Sequence, residues 1–470
     1  MGWRILGVEA PGWRGARRAR TRRYATDEQR SQPGWIGVQK RQVILRQVLI
    51  ARAAISAFAA LPALAVEPLV GLAPEGALSD TVADLVAEQE SAASFYGYTD
   101  FAYQHPIMSR SNPWRSLLAD DATFYVGNLN LYMANQWAER WKSLAEVRFL
   151  YLPHGATDEQ SGAGIDTGLR DYADYQSELH WGGIEIERAQ LDFQAHEYVT
   201  ARVGQWLTPY GIWNIDHGSP TIIGVQRPYS IAGSLFPERQ TGLQLLGAVP
   251  LGRHQLGYNL TLSNGRGAVD TYQDLDENKA VGGRLEFASE TRVHARLGAS
   301  VYAGRFTKTQ DVYGTDANGY LSIDENTVEQ YDELALGTDL LVEARGLRLQ
   351  AELVVNDRAY TEGGRPQRLT APGEFVPDFR AWGGYGLLGY RFTTLGLMPF
   401  GIVEWFRSEA FGEIVGIDRA LGYGLGINAR PHPRVTLKLQ VMRGTFGGAT
   451  DSPYADADLT LLQTQVAWAF

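Results

Sequence analysis

The stretch Ala457-Asp-Leu-Thr-Leu-Leu-Gln-Thr-Gln-Val-Ala-Trp-Ala-Phe470 alternates between two kinds of residue. One parity is apolar and ends in aromatic residues: Leu462, Thr464, Val466, Trp468 and Phe470. The other parity is partly polar: Leu461, Gln463, Gln465, Ala467 and Ala469. A period of two predicts a β-strand with one apolar and one polar face. A strand that crosses a membrane as part of a barrel needs this pattern, with an aromatic residue at the membrane–water interface.

The composition favours an all-β protein. The chain has 470 residues with 52 Gly, 23 Tyr and 17 Phe, and alternating segments occur along most of its length. No run of eighteen uncharged apolar residues is present, so the sequence predicts no transmembrane helix. Cysteine is absent, which excludes disulfides and thiolate chemistry.

Charge divides the chain into a basic and an acidic part. Residues 1–65 contain 12 Lys and Arg against 3 Asp and Glu, whereas residues 66–470 carry 31 against 50. A net charge of −19 on this second part argues against nucleic-acid binding, which needs a cationic surface.

The N-terminal part has the features of a secretory signal. Four basic residues, the last of them Arg52, precede an apolar run that ends in Ala63-Leu64-Ala65. A signal peptidase reads such a small-x-small end, so we expect cleavage after Ala65. A buried helix and a mitochondrial transit peptide are the alternatives. We therefore divide the chain into an extension with a signal peptide (1–65), a periplasmic lead-in (66–92) and a barrel (93–470).

Between residue 93 and the C-terminus we predict about sixteen strands, each of a length that crosses a membrane at a tilt. The connections after even-numbered strands are tight, whereas those after odd-numbered strands are long and polar, for example residues 153–183, 207–239, 305–331 and 358–379. This alternation is typical of an antiparallel transmembrane β-barrel with short periplasmic turns and long outside loops. A two-layer sandwich gives no reason for it.

One segment resembles a known family. The stretch Ala201-Arg-Val-Gly-Gln-Trp-Leu-Thr-Pro-Tyr-Gly211 is similar to the G-[KQ]-x-x-x-P-[FY]-G motif of the phosphate-selective porin O/P superfamily. Shorter matches follow in the same order: Glu238-Arg-Gln-Thr-Gly242, Asn264-Gly265, Lys279 and Gly283-Arg284. The terminal phenylalanine also resembles the end of Gram-negative outer-membrane proteins. The resemblance implies a trimeric porin of sixteen strands whose third outside loop folds inward as a constriction.

By strand count, residues 207–239 are that third loop. We predict a constriction formed by Asp216, Glu238, Arg202, Arg284, Arg227, Trp213 and Tyr210. Further along the lumen we predict a pore wall that includes Lys142, Arg148, Arg188, Arg296, Arg348, Glu352 and Lys438. Wall cations that face loop acids across water would filter solutes. Ion pairs that only stabilise the wall are the alternative. The aromatic residues of this loop either stack on solutes or anchor the loop to the wall. Phosphate selectivity is not expected, because the loop has few cations.

Two further patterns resemble functional motifs, but the match is weak in each. Residues 314–325 match an EF-hand loop at Asp316, Asn318 and Glu325, which would be ligands of a Ca²⁺ ion, but Gly314 replaces the first acid. A solvated turn is therefore the favoured interpretation. The run Asp216-His217-Gly218-Ser219 contains triad residue types, yet a hydrogen-bonded turn explains it better than a hydrolase does. We expect no catalytic residue and no cofactor other than this Ca²⁺.

Together these patterns predict a porin in the Gram-negative outer membrane that passes ions and small polar solutes. Its expected partners are the membrane lipid and two further copies of itself. A plugged barrel that acts as an adhesin or scaffold is the second hypothesis, and a barrel hydrolase is the third. Neither the solute nor the ion selectivity follows from the sequence.

Overall fold

A computed structural model describes residues 93–116, 122–150, 183–266, 274–315, 321–367, 373–408, 417–448, 454–455 and 457–470. Sixteen antiparallel strands, β1–β16, form one sheet in which each strand pairs with its sequence neighbours. The last strand pairs with the first, for example Phe101 with Val466, and closes the barrel. The predicted fold class, an antiparallel transmembrane β-barrel of about sixteen strands, is confirmed.

The strands β1–β16 have the following bounds in chain order: Ala93–Ile107, Thr123–Ala138, Trp141–Leu150, Gly183–His196, Val199–Leu207, Arg239–Leu251, His254–Ser263, Ala280–Glu290, His294–Thr315, Leu321–Ala344, Leu347–Tyr360, Phe379–Tyr390, Leu397–Arg407, Ile417–His432, Val435–Gly448 and Leu459–Ala469. In the described ranges, two short helical turns occur outside the sheet, a 3-10 turn at Pro113–Ser116 and the one-turn helix α1 at Tyr229–Ala232.

The two faces of the strands differ as the sequence predicts. In β16 Val466 and Trp468 are exposed on the outside, whereas Gln463 and Gln465 are buried on the inside. In β15 the exposed leucines alternate with Thr436, Lys438 and Gln440, which are at most 4% exposed. Because strand side chains alternate strictly, one register places the apolar face of each of these two strands toward lipid.

The exterior carries an apolar band around the whole barrel. Exposed side chains such as Val203, Leu297 and Leu353 belong to widely separated strands. Aromatic side chains are exposed at the end where the short turns lie, among them Trp137, Trp141, Tyr390, Trp468 and Phe470. An apolar band with an aromatic border is the surface that a transmembrane barrel presents to lipid. Among the described residues, no helix is long and apolar enough to cross a membrane.

The connections follow the predicted parity, with one correction. Two-residue links such as 139–140, 197–198 and 345–346 join even-numbered strands to the next strand. Residues 305–331 are not a long polar loop, because β9 continues to Thr315 and β10 begins at Leu321. The two strands pair from Thr315–Leu321 onward. This hairpin extends beyond the paired parts of β8 and β11. An antiparallel sheet outside the membrane is not required to keep one face apolar, so its period of two is weak in the sequence.

Several predictions lie outside the described residues. These are the signal peptide in 1–65, the lead-in 66–92, the connection at 153–182, and the two Ca²⁺ ligands Asp316 and Asn318. The third suggested ligand, Glu325, is a residue of β10 opposite Asp311 of β9.

Candidate functional site

The inside of the barrel is lined with polar side chains at alternate positions of nearly every strand. Buried examples are Asn130, Glu146, Gln190, Gln244, Asp339, Glu352, Asn356, Glu404, Lys438 and Gln440. A polar group that leaves water needs a hydrogen-bond partner, because an unpaired buried one costs about 1–3 kcal/mol. The partners of these side chains therefore show what occupies the lumen.

Residues 208–238, between β5 and β6, fold into the barrel, and we call them the inner loop. At the neck of the inner loop the Thr208 N–H donates to the Glu238 carbonyl over 2.9 Å. The Asn214 side chain donates to the carbonyls of the same two residues, over 2.8 and 3.0 Å. These bonds hold the two ends of the loop together while its middle extends across the lumen.

The glycines of the family-like motif have a role at this neck. Gly204 and Gly211 adopt φ angles of 116° and 78°, a region that side chains other than glycine rarely occupy. A Cβ atom on Gly211 would also collide with the Glu352 carboxylate. Glycine is therefore required where the chain turns from β5 toward the inner wall.

Three backbone N–H groups of the inner loop donate to side chains of the wall. Trp213 donates to Glu352 on β11, Val225 to Gln440 on β15 and Tyr229 to Glu404 on β13, each over 2.7 Å. Hydrogen bonds to carboxylates contribute about 1.5–3 kcal/mol each. The buried acids of β11 and β13 thus act as acceptors for loop peptides.

Wall donors meet loop carbonyls in the same region. Lys438 Nζ donates to the Gly224 carbonyl over 2.9 Å, and Asn428 donates to the Ile223 carbonyl over 3.0 Å. Asn356 donates to the Leu235 carbonyl over 2.7 Å. Buried peptide groups must find partners, and the wall from β11 to β15 supplies them. The inner loop is therefore attached to this half of the barrel.

The opposite half touches the inner loop at fewer points. Ser219 Oγ donates to the Asp100 carboxylate on β1, and the Tyr210 hydroxyl is 2.7 Å from Thr261 Oγ1 on β7. Burial raises the pKa of Tyr210 to about 12, so its hydroxyl stays protonated. These contacts fix the loop on both sides of the lumen.

His217 of the inner loop is partly buried and lies near charged groups. Its Nδ1 lies 3.1 Å from the Asn214 carbonyl, which assigns the proton to this nitrogen. Burial lowers the pKa of His217, and the nearby acids Glu187 and Glu146 oppose this effect in part. Arg188 and Arg227 lower it further. The docked loop therefore favours the neutral imidazole.

Charged side chains on β3–β6 and the loop neck remain partly exposed. The side chains of Arg227 and Glu238 are 36% and 26% exposed and bind each other. On the wall, Arg202 holds both carboxylate oxygens of Asp192 over 2.7 and 2.8 Å, and these two side chains are 20% and 19% exposed. Water reaches this side of the lumen, whereas the β11–β15 side is covered by the inner loop.

The predicted constriction residues occupy different surroundings in the structure. Trp213 and Tyr210 are 3% and 2% exposed and pack against the wall, Trp213 beside Tyr385. Arg284 is buried and forms ion pairs with Asp339 and Glu286. Asp216 belongs to a turn, in which Thr221 Oγ1 donates to its carbonyl over 3.1 Å. Arg202 and Arg284 form their ion pairs within the wall, with Asp192 and with Asp339 and Glu286. That they face loop acids across water stays a prediction.

The predicted pore-wall residues divide into three groups. Lys438 and Glu352 lie on the inner face and bind the loop. Arg188 pairs with Glu146 over 2.6 Å, Arg148 with Glu187 over 3.1 Å and Arg348 with Glu343 over 2.9 Å. Lys142 and Arg296 lie on the inner face near the short turns. Within the described part of the chain, no cluster of three or more His, Asp or Glu could hold a metal ion.

Sequence reasoning missed several residues of the site. Asp100, Glu404 and Gln440 bind the inner loop, and Arg239 binds Glu185 beside the neck. Their inward parity was readable from the strand pattern. Their partners were not, because a lumen-facing polar side chain is satisfied equally by water or by a peptide group.

The similarity of this chain to known proteins is distant. No protein-family model matches the sequence, and no curated protein matches it. Among solved structures, OmpT of Vibrio cholerae is 7% identical with a TM-score of 0.47, over 81% of this chain and 99% of that one. OprB of Pseudomonas putida is 9% identical with a TM-score of 0.47, over 83% and 97%. The anion-selective porin of Comamonas acidovorans is 13% identical with a TM-score of 0.45, over 81% and 100%.

Proposed function

We propose that this protein is a porin of the Gram-negative outer membrane, and that the inner loop narrows its lumen. The observation that carries the proposal is the asymmetric placement of the loop. It is bonded to β11–β15, while Arg202, Asp192, Arg227 and Glu238 stay partly exposed on the other side. A polar lumen with exposed charges suits the diffusion of hydrated solutes.

The exposed charges favour ions and small polar solutes without strong selectivity. Arg202 and Arg227 are each paired with a carboxylate, and Arg239 lies between Glu185 and Glu187. Paired charges of opposite sign cancel much of their field at a distance. Phosphate selectivity is therefore not part of the proposal.

Membership of the phosphate-selective porin O/P superfamily and a homotrimeric state are further proposals, supported by the motif around Gly204 and Gly211.

A plugged barrel that serves as an adhesin or scaffold is the second candidate. It is favoured by the contacts of the inner loop with both halves of the wall, at Asp100 and Thr261 as well as at Glu352 and Gln440. We propose no catalytic step. Ser219 donates to Asp100, and His217 Nδ1 faces the Asn214 carbonyl, so these residues serve the turn.

Single-channel recording in a planar bilayer tests the proposal. The chain has no cysteine, so Arg227→Cys introduces one reactive thiol into the exposed side of the lumen. We expect stepwise conductance, which a negatively charged sulfonate thiol reagent reduces in this variant. Leu243→Cys is the matched control, because Leu243 is 54% exposed on the outside. A folded barrel that does not conduct would establish the plugged alternative, and an equal effect of the reagent on both variants would refute the assigned position of Arg227.

A further inference from the structure

Four arginines form a row on the outside of the barrel near the long-loop end. Arg380, Arg407, Arg419 and Arg443 belong to the consecutive strands β12, β13, β14 and β15. All four are exposed, and their parity is that of the lipid-facing residues. Charges on the lipid face are costly in the apolar band and are tolerated near the headgroups. The row therefore marks the membrane–water interface.

The outer two arginines have acidic partners. Arg380 holds both carboxylate oxygens of Asp357 over 2.6 and 2.9 Å, and Arg443 binds Asp458. Surface pairs of this kind need no further ligand. These two paired arginines are therefore the comparison for the two arginines between them.

The central pair, Arg407 and Arg419, is arranged differently. The two residues are directly opposite each other on β13 and β14, and like charges in this position repel. The Asp418 carboxylate is 4.0 Å from Arg407. In the parts of the chain that the structure describes, Arg419 forms no ion pair, and its guanidinium lies over Gly447 of β15. A bound anion would neutralise the repulsion and receive hydrogen bonds from both side chains.

An apolar groove lies on the same outer face, farther from the long loops. The volume of this groove is about 550 Å³. Leu388, Val403 and Leu425 form its sides, and Gly386 and Gly401 leave its floor without side chains. A Cβ atom on Gly386 would meet no heavy atom within 4 Å. The groove is thus open space that is large enough for a small apolar ligand, for which sites of about 300–1,000 Å³ are usual.

The spacing between the arginines and the groove fits one amphiphilic molecule. Gly401 is six residues from Arg407 along β13, a distance of about 20 Å in an extended strand. With a strand tilt of about 40°, this corresponds to a depth of roughly 15 Å, half the hydrocarbon core. Trp382 and Trp405 share the outer face between the two regions, where aromatic rings contact headgroups.

We propose that this surface is a binding site for one phosphorylated lipid of the leaflet at the long-loop end. The phosphate binds between Arg407 and Arg419, and one acyl chain fills the groove floored by Gly386 and Gly401. Arginine suits this role because its planar guanidinium binds phosphate oxygens in pairs. The site requires a barrel that lies in a membrane, but it does not require that the barrel conducts.

Native mass spectrometry of the detergent-purified barrel tests the proposal, with dimyristoyl phosphatidic acid as the probe. We expect one lipid bound per chain, and at least tenfold less of dimyristoyl phosphatidylcholine, which has the same acyl chains. The double variant Arg407→Gln with Arg419→Gln should lose at least tenfold of the bound probe. Arg443→Gln, whose arginine is already paired, should keep it.

Two additional measurements separate the headgroup from the chain. Gly386→Leu fills the groove without a steric conflict and should also lower binding at least tenfold. Inorganic phosphate at equal concentration should not displace the lipid, because it lacks the chain. Unchanged binding in the double variant would overturn the phosphate site, and unchanged binding in Gly386→Leu would overturn the groove. Folding of each variant is verified by heat-modifiable electrophoretic mobility, and conductance should equal that of the wild type.

Discussion

Removal of residues 212–235 should enlarge the narrowest part of the lumen more than twofold. The deletion is feasible because the two ends of the loop lie together at its neck, where the Thr208 N–H donates to the Glu238 carbonyl over 2.9 Å. A short glycine linker can join the remaining ends. The barrel strands are untouched, and the wall groups that bound the loop, such as Glu352 and Lys438, become hydrated.

The size of the expected increase in conductance follows from the barrel geometry. Sixteen strands spaced by about 4.8 Å and tilted by about 40° give a backbone radius of roughly 16 Å. Side chains occupy about 5 Å of this, since packed sheets are about 10 Å apart, which leaves a bore of roughly 380 Å². A chain segment about 10 Å wide that lies across this bore covers roughly 220 Å². Deletion should therefore raise the single-channel conductance about two- to threefold, or create conductance in a barrel that was plugged.

Planar-bilayer recordings of wild type and deletion variant in the same salt give the comparison. The control is retention of β-sheet circular dichroism and of the heat-modifiable mobility, which shows that both barrels are closed. If a folded deletion variant conducts as the wild type does, the inner loop does not limit the passage, and our assignment of the site is wrong.

Three other predictions concern the wall and the loop. Leu260→Arg places a charge on the lipid face and should destabilise the barrel by about 2–4 kcal/mol in urea titration, whereas the inward Asn259→Arg should not; equal losses would show that the faces are misassigned. Glu352→Ala removes the acceptor of a loop N–H and should weaken loop docking by about 1.5–3 kcal/mol, seen as faster thermolysin cleavage of the loop. Glu343→Ala, which affects a 41% exposed acid, should have no such effect. Since burial lowers the pKa of His217, docking is fully stable above the ordinary pKa near 6.5 and weakens as the pH falls below it. Cleavage should therefore accelerate at pH 5, and His217→Asn should remove this dependence.

The strands were predictable because lipid imposes a strict rule on them. Within the apolar band the outward residues are apolar, so Leu437, Leu439 and Val441 alternate with inward polar residues. The same rule predicts that Lys438 and Gln440 face the lumen. It stops at the membrane surface, and for that reason the extension of β9 and β10 to Thr315 and Leu321 was missed.

The detail of the site could not be predicted from the sequence. Strand count identifies residues 207–239 as the third outside loop, the family resemblance implies that this loop folds inward, and the motif glycines lie where the chain turns. The sequence could not show that Arg202 pairs with Asp192 on the next strand, or that Lys438 binds the Gly224 carbonyl. The partners of these side chains depend on how the loop and the neighbouring strands fold in three dimensions. The alternation of residues along one strand does not contain that information.

The seam between β1 and β16 determines when the barrel can become a complete structure. Gln104 and Gln463 meet across this seam although they are 359 residues apart in the chain. Closing a flexible loop of that length directly would cost about 5 kcal/mol of chain entropy. Addition of one hairpin after another avoids most of this cost, because the growing curved sheet carries β1 toward the position of β16. Until the seam forms, both edge strands expose unpaired N–H and C=O groups that lipid cannot satisfy. Assembly and insertion should therefore be coupled at this last step, with a transition that involves all sixteen strands together.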